Sequence, residues 1–151
     1  KDKFSFSDND IKLYQNKFTF TSLDGNLFQI DTKGAISSSK LNLAKDHGMD
    51  ATTRTLVVMN DNILKIRDKK IQLELGVYSK PTIFYLNDKI YVSVTDIQNQ
   101  KIYLFDSQAE SIPNFPIFGN SVIDMADINN NKKAELVFKD QENTIQVYKI
   151  R

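Results

Sequence analysis

Short runs of alternating apolar and polar residues dominate the chain, and Asn, Asp and Gly separate them. Such period-two runs, rich in Ile, Val, Phe, Tyr and Thr, are typical of half-buried β-strands. The strands that the pattern predicts are Phe18–Thr21, Leu27–Asp31, Leu56–Met59, Ile63–Arg67, Ile71–Leu75, Ile83–Leu86, Ile90–Thr95, Ile102–Phe105, Leu136–Phe138 and Ile145–Tyr148. The best helical pattern, Ser39–His47, is short and runs into Gly48. The pattern therefore predicts an all-β protein.

One predicted strand recurs about every forty residues, a spacing seen in repeat proteins. It follows a polar amide at Asn26, Asn62, Gln100 and Asn143. Apolar side chains stand two and four positions after each amide, so every copy is expected to bury the same face. Repeats of this length are typical of β-propeller blades, each of which stacks its apolar face on a neighbour. We predict a β-propeller or propeller fragment of about four blades with three to four antiparallel strands each; an ordinary β-sandwich is the alternative.

The repeat divides residues 1–151 into four units of one propeller-like domain. The units are residues 10–43, 49–76, 81–117 and 121–151. The last unit ends one strand short, and residues 3–7 alternate as a strand does. We therefore expect residues 3–7 to supply the missing strand and close the ring.

Composition removes several classes of function. The chain has 20 basic and 19 acidic residues, and a net charge of +1 gives no general reason to bind nucleic acid or anionic lipid. The absence of Cys excludes disulfides, thiolate metal sites and cysteine nucleophiles. No apolar run approaches the roughly 20 residues of a membrane helix, so we expect no membrane insertion by this segment. Because the chain begins at Lys1 without a leader, we expect a processed or excised part of a longer protein.

Two motifs near the end of the chain resemble those of a known repeat family. The first motif is a strand, an Asp turn and a P-G-F-P ending of a blade, which resembles Ile102–Asp106 followed by Ile112–Ile117. The second is the D-x-D-x-D-G-x-x-E-L-V segment, which resembles Asp127–Val137. Residues 100–151 thus resemble FG-GAP/VCBS-type, quinoprotein-like β-propellers. The resemblance implies a binding platform in a periplasmic, cell-surface or secreted protein. The chain has no Trp, which argues against quinone-dependent oxidation.

The same resemblance implies a calcium loop with oxygen ligands at alternate positions. Those positions hold Asp127, Asn129, Asn131, the Lys133 carbonyl and Glu135. Asn replaces two of the family's carboxylates, Lys132 stands at the family's Gly, and two lysines add positive charge. We therefore expect no cofactor and a turn held by side-chain-to-backbone hydrogen bonds, with a bound calcium ion as the alternative.

Aromatic residues are the remaining functional signal, with ten Phe and six Tyr. The residues that we expect in exposed loops are Tyr78, Phe115, Phe118 and Asn120. Aromatic side chains on a rigid scaffold commonly anchor interfaces, so this set predicts contact with a protein or peptide partner. The alternative is that Phe115 and the adjacent Pro116 only fix the crossing to the next blade.

Catalytic motifs are weak throughout. His47, the only histidine, could join Asp46 or Asp50 and a serine of Ser37–Ser39, but no nucleophile elbow surrounds these serines. We expect His47 to lie in a solvated loop. The sequence therefore predicts a non-catalytic binding or scaffold module, and not an enzyme. A hydrolase or glycan-active domain that uses the loop carboxylates of Asp96, Asp124 or Asp127 is the alternative.

Overall fold

The computed structural model describes residues 3–151, and these residues form strands, turns and irregular segments without any helix. The described residues therefore contain no helix that could span a membrane. The strands are β1 (Lys12–Tyr14), β2 (Lys17–Thr21), β3 (Asn26–Ile30), β4 (Ile36–Lys40), β5 (Gly48–Ala51), β6 (Leu56–Asn60), β7 (Ile63–Ile66), β8 (Lys69–Gln72), β9 (Thr82–Leu86), β10 (Lys89–Asp96), β11 (Lys101–Asp106), β12 (Ile117–Phe118), β13 (Asp124–Ala126), β14 (Glu135–Lys139) and β15 (Ile145–Lys149).

Consecutive strands pair antiparallel in four sheets: β1–β4, β5–β8, β9–β12 and β13–β15. The prediction of an all-β protein is confirmed, and so is the grouping into antiparallel sheets of three to four strands. Each of the ten predicted strands overlaps a strand of the structure. Assembly of the sheets into a propeller stays a prediction.

Tight turns join many of these strands because their residues accept positive φ angles. Asn87 and Asp88 both have φ above 50°, as do Gln15 and Asn16 in the first hairpin. Two positive φ angles in a two-residue loop match the right-handed twist of an antiparallel pair. Local sequence therefore fixes these hairpins.

A second kind of turn occurs three times with the same hydrogen bonds. It begins at Asp31, Asp106 and Asp140, and one carboxylate oxygen accepts the backbone N–H groups two and four residues later. In each turn the residue three positions after the Asp has a positive φ; these residues are Gly34, Ala109 and Asn143. The Asp carboxylate thus sets the turn, while the left-handed position accepts different residues.

The chain divides into two compact units, Lys1–Leu73 and Glu74–Arg151. In the first unit, the core lies between the first two sheets, where Leu27 packs with Met49 and Val58. The N-terminal segment also belongs to this unit: Phe6 bridges Ser22, and the ring of Phe4 lies 5.2 Å from that of Phe20. Residues 3–7 thus pair beside β2, and closure of a ring through them stays a prediction.

In the second unit, the third sheet packs face to face on the fourth. Ile102 and Leu104 of β11 are completely buried against a cluster that includes Met125, Leu136 and Phe138. The side chains of both sheets fill this core.

Three local expectations are wrong, and one of them is the burial of Ile145 and Val147, which are exposed. His47 is only 4% exposed, because its Nδ1 donates to the Ala44 carbonyl at 2.6 Å and its Nε2 lies 2.7 Å from Thr21 Oγ1. In the first sheet, Leu27 and not Phe28 faces the second sheet, so the repeat register shifts by one residue there. A shift of one residue moves a strand's side chains to the other face.

Candidate functional site

Two of the predicted interaction residues, Tyr78 and Phe118, lie on one transverse row of the third sheet. Tyr78 bridges Asp96, Asp96 pairs with Lys101, and Lys101 pairs with Phe118. Residues directly opposite each other share a face, so the four side chains belong to the same face of the sheet. Phe118 ends this row as a largely exposed ring, 69% accessible.

Polar contacts fix the middle of the row. Lys101 Nζ donates to Glu74 Oε2 at 2.6 Å, and the Tyr78 hydroxyl donates to the Glu74 carbonyl at 2.7 Å. The hydrogen bond to Glu74 raises the pKa of Lys101, whereas burial raises the pKa of Tyr78. Both side chains therefore keep their protons at neutral pH, and the row combines an aromatic edge with a fixed ion pair.

Asp96 forms the buried base of the row and is fully inaccessible. Its carboxylate accepts the Asn99 backbone N–H at 3.0 Å and the Asn99 side-chain amide at 2.6 Å. The backbone of Gly76 passes so close that an added Cβ would lie 2.3 Å from Asp96 Oδ2. A glycine is therefore required at position 76, and the Asp96 carboxylate is used in local structure.

The other two predicted interaction residues lie away from this row. The Phe115 ring packs edge-on against Tyr148 at 5.6 Å and contributes to the core between the third and fourth sheets. Asn120 is half-buried, and its backbone N–H donates to the Lys139 carbonyl at 3.0 Å. Its Oδ1 is buried without a hydrogen-bond partner among the described residues. Phe115 thus packs in the core, in line with the alternative given in the sequence analysis, a packing role and not contact with a partner.

In the Asp127–Glu135 loop, for which the sequence predicts a hydrogen-bonded turn with bound calcium as the alternative, the side chains bond to the loop's own backbone. Asp127 accepts the backbone N–H groups of Asn131 and Lys132 at 3.0 and 2.8 Å. Asn131 Oδ1 accepts the Lys133 N–H at 2.9 Å, and the buried Glu135 accepts the Ile128 N–H at 3.1 Å. The side-chain oxygens that could bind an ion thus already accept hydrogen bonds from the loop.

The remaining predicted ligands complete the same pattern. Asn129 Oδ1 accepts the Asn131 N–H at 3.1 Å, and its amide donates to Glu135 Oε1 at 3.2 Å. Lys132 has a φ of 64°, a left-handed angle that Gly adopts at lower cost than Lys. Among residues 3–151, no three His, Cys, Asp or Glu side chains are grouped as a metal site would need. Calcium binding at this loop stays the alternative to a turn without an ion.

The carboxylates considered for a hydrolase or glycan-active domain, those of Asp96, Asp124 and Asp127, each accept hydrogen bonds in a different local structure. Asp124 is exposed on β13 and accepts the Met125 N–H at 2.9 Å. Asp127 and Asp96 are tied to their own loops, as described above. The ring of His47 bonds to Ala44 and Thr21, while Ser37–Ser39 lie on the exposed strand β4.

Two exposed apolar faces were missed as candidate sites by the sequence. In the first sheet, a continuous row runs across all four strands; it consists of Leu13, Phe18, Ile30 and Ile36. In the fourth sheet, Val137 pairs with Val147 on a face that also carries Ile145. Charged residues flank these side chains, with Lys139 opposite Ile145 and Asp124 opposite Val137. Ile145 and Val147 occupy the repeat positions that the sequence analysis predicted to be buried. The apolar pattern was therefore recognised, but it was interpreted as core and not as an exposed face.

The exposure of that second face follows from the repeat itself. Ile102 and Leu104 occupy these repeat positions in the third sheet and are 0% exposed, because the fourth sheet covers them. Ile145 and Val147 are 67% and 61% exposed. The same apolar positions are thus buried in the third sheet and exposed in the fourth.

Comparison of the sequence with protein-family models gives no match, and comparison with curated proteins finds no similar sequence.

Proposed function

We propose that the chain is a non-catalytic binding scaffold built from propeller-type blades, and that it works in an extracytoplasmic protein. One difference in burial supports this proposal. Ile102 and Leu104 are buried in the third sheet, whereas Ile145 and Val147, at the equivalent repeat positions of the fourth sheet, are exposed. Apolar side chains such as these pack against a second sheet about 10 Å away in face-to-face sheet pairs. The exposed face is therefore suited to binding a further blade-like sheet.

The partner to which we commit is a second copy of the chain. Each copy carries exposed apolar residues on its fourth sheet and others, centred on Leu13 and Phe18, on its first sheet. A head-to-tail contact would place the fourth sheet of one copy on the first sheet of the next. The exposed ring of Phe118, at the end of the row that contains half-buried Tyr78, then stays available for a protein or peptide ligand.

Sedimentation equilibrium of single-face variants tests the proposal. The weight-average mass of the wild type should rise with concentration above the monomer's 17.3 kDa. Phe18→Lys and Val147→Lys should each remain monomeric, since a charge at an apolar interface is costly to bury. Leu75→Lys, at an exposed apolar residue outside both faces, is the matched control and should associate as the wild type does.

Mixing the two variants makes the test specific for head-to-tail contact. Each variant keeps the face that the other lacks, so the mixture should form a capped dimer and nothing larger. A wild type that stays monomeric at millimolar concentration would refute docking of a second copy. Self-association of both single variants to the same extent as the wild type would also refute docking of a second copy.

A further inference from the structure

A groove in the first unit opens between the outer strands of its two sheets. It consists of two adjoining cavities of about 130 and 260 Å³ that share Leu41, Val58 and Lys65 as lining residues. Together they reach the lower end of the size range of small-molecule sites. The groove is separate from the exposed sheet faces on which the proposed scaffold function rests.

The apolar floor of the groove is built before any ligand arrives. Val58 and Leu27 come from the core between the two sheets, and Leu41 packs against them. The segment that follows β4 is held from both sides: the Gly25 carbonyl accepts the Leu41 N–H, and Asn60 Oδ1 accepts the Ala44 N–H at 2.8 Å. An added Cβ at Gly25 would lie 2.5 Å from Leu43 backbone atoms, so only glycine allows this approach.

The rim of the groove carries positive charge. Lys65 and Lys70 face each other directly across β7 and β8, an arrangement in which like charges repel. Arg67 lines the same groove, and its Nε and Nη2 donate to the buried Thr55 hydroxyl at 3.2 and 3.1 Å. Among the described residues, no acidic side chain lines either cavity or forms an ion pair with these two lysines.

We infer that this groove binds a small organic carboxylate with an apolar body, such as a medium-chain fatty acid. The carboxylate would lie between Lys65 and Lys70 and relieve their repulsion, and the apolar body would cover Leu41 and Val58. Charge complementarity and an apolar floor thus select the same kind of molecule. A neutral molecule of the same shape would gain only the apolar contact.

Octanoate is the probe, and titration followed by amide chemical shifts of the labelled protein is the measurement. Saturable shifts should centre on Leu41, Val58 and Lys65. Octanol, the neutral match in chain length, should bind about tenfold more weakly, and acetate should give no saturable shifts at the groove. The octanoate affinity should fall with rising salt, since the lysine contacts are partly solvated.

Variants separate the two parts of the site. Lys65→Gln and Lys70→Gln should each weaken octanoate binding about fivefold, in the range of partly exposed ion pairs. Lys33→Gln, at an exposed turn of the same unit, should have no effect. Ser39→Glu places a negative charge in the groove and should abolish binding, while Ser38→Glu, on the opposite face of β4, should leave it intact.

Three results would overturn the inference. Octanol could bind as tightly as octanoate, which would remove the role of charge. Octanoate could bind equally to the wild type and to the Lys65→Gln and Ser39→Glu variants, which would place it elsewhere. The groove amides could also show no saturable shift up to the solubility limit of octanoate.

Discussion

At the scale of single residues, the three Asp turns show which positions the structure constrains. The carboxylates of Asp31, Asp106 and Asp140 make the same backbone hydrogen bonds, so the acid is the required feature. The left-handed position carries Gly34 in one turn and Ala109 in another. An L-residue with a side chain pays a conformational cost there that glycine does not.

Replacing Ala109 by Gly and, separately, Gly34 by Ala should change the free energy of unfolding in opposite directions. Ala109→Gly should raise the free energy of unfolding by about 1 kcal/mol, because Ala109 is held at a φ of 65°. Gly34→Ala should lower it by a similar amount; its added Cβ would meet no atom within 4 Å, so the cost is conformational. Urea unfolding measures both values. Ala35→Gly, outside the left-handed position, is the control and should destabilise slightly; a loss of stability in Ala109→Gly would contradict this account.

The Asp140 turn should also give a measurable acid response. Hydrogen bonds from the Thr144 hydroxyl, then from Gln146 and the Thr144 and Glu142 backbone, lower the pKa of Asp140 from 3.8 to about 2. Because the folded-state pKa is depressed, the contribution of this carboxylate is present above the unfolded-state pKa. It is lost as the pH falls from about 4 through about 2.

Titration of the Asp140 carboxyl carbon by NMR tests this response. Thr144→Val removes the hydroxyl and keeps the backbone N–H, so the pKa of Asp140 should rise towards its ordinary value. A wild-type pKa near 4, or an unchanged pKa in Thr144→Val, would show that these bonds do not hold the carboxylate.

At the scale of elements, the Asp127–Glu135 loop shows how a motif can keep its geometry while its side chains serve the backbone. Asp127 and Glu135 accept loop N–H groups, and Lys132 occupies a left-handed position. Two Asn residues, Asn129 and Asn131, reduce the negative charge that an ion would need. The loop is therefore stable as a hydrogen-bonded turn.

The loop should behave the same with and without calcium. The melting temperature of the wild type should be equal in chelator and in millimolar calcium. Asp127→Asn should cost about 1 kcal/mol in both conditions, since the amide NH2 group that replaces Oδ2 cannot accept the Lys132 N–H. Glu142→Gln, at an exposed residue of another turn, is the control. A melting temperature that calcium raises in the wild type but not in Asp127→Asn would instead identify a metal site.

At the scale of the whole molecule, periodicity predicted the strands well because alternation and turn residues are local features. The ten predicted strands and the four sheets required no knowledge of distant contacts. The sequence could not predict that Leu27 rather than Phe28 faces the second sheet, since both neighbours are apolar. It also missed the burial of His47, which depends on Thr21, a residue 26 positions away.

The candidate interaction residues show the same limit. Tyr78 and Phe118 lie on one row only because the registers of β10, β11 and β12 combine with the bridge at Asp96. Phe115, close to Phe118 in sequence, packs into the core instead. Sequence identified the aromatic residues, but strand register decides which of them reach solvent.

The fourth sheet has three strands where the others have four, and β15 is one of its two edge strands. The outward backbone N–H and C=O groups of such an edge can template the addition of another strand, which is how ordered aggregation begins. Ile145 and Val147 would make that growth favourable, whereas the charge of Lys149 at the end of the strand opposes it. Lys149 thus acts as a gatekeeper of colloidal stability: neutralising it by acetylation should speed fibril formation in concentrated solution.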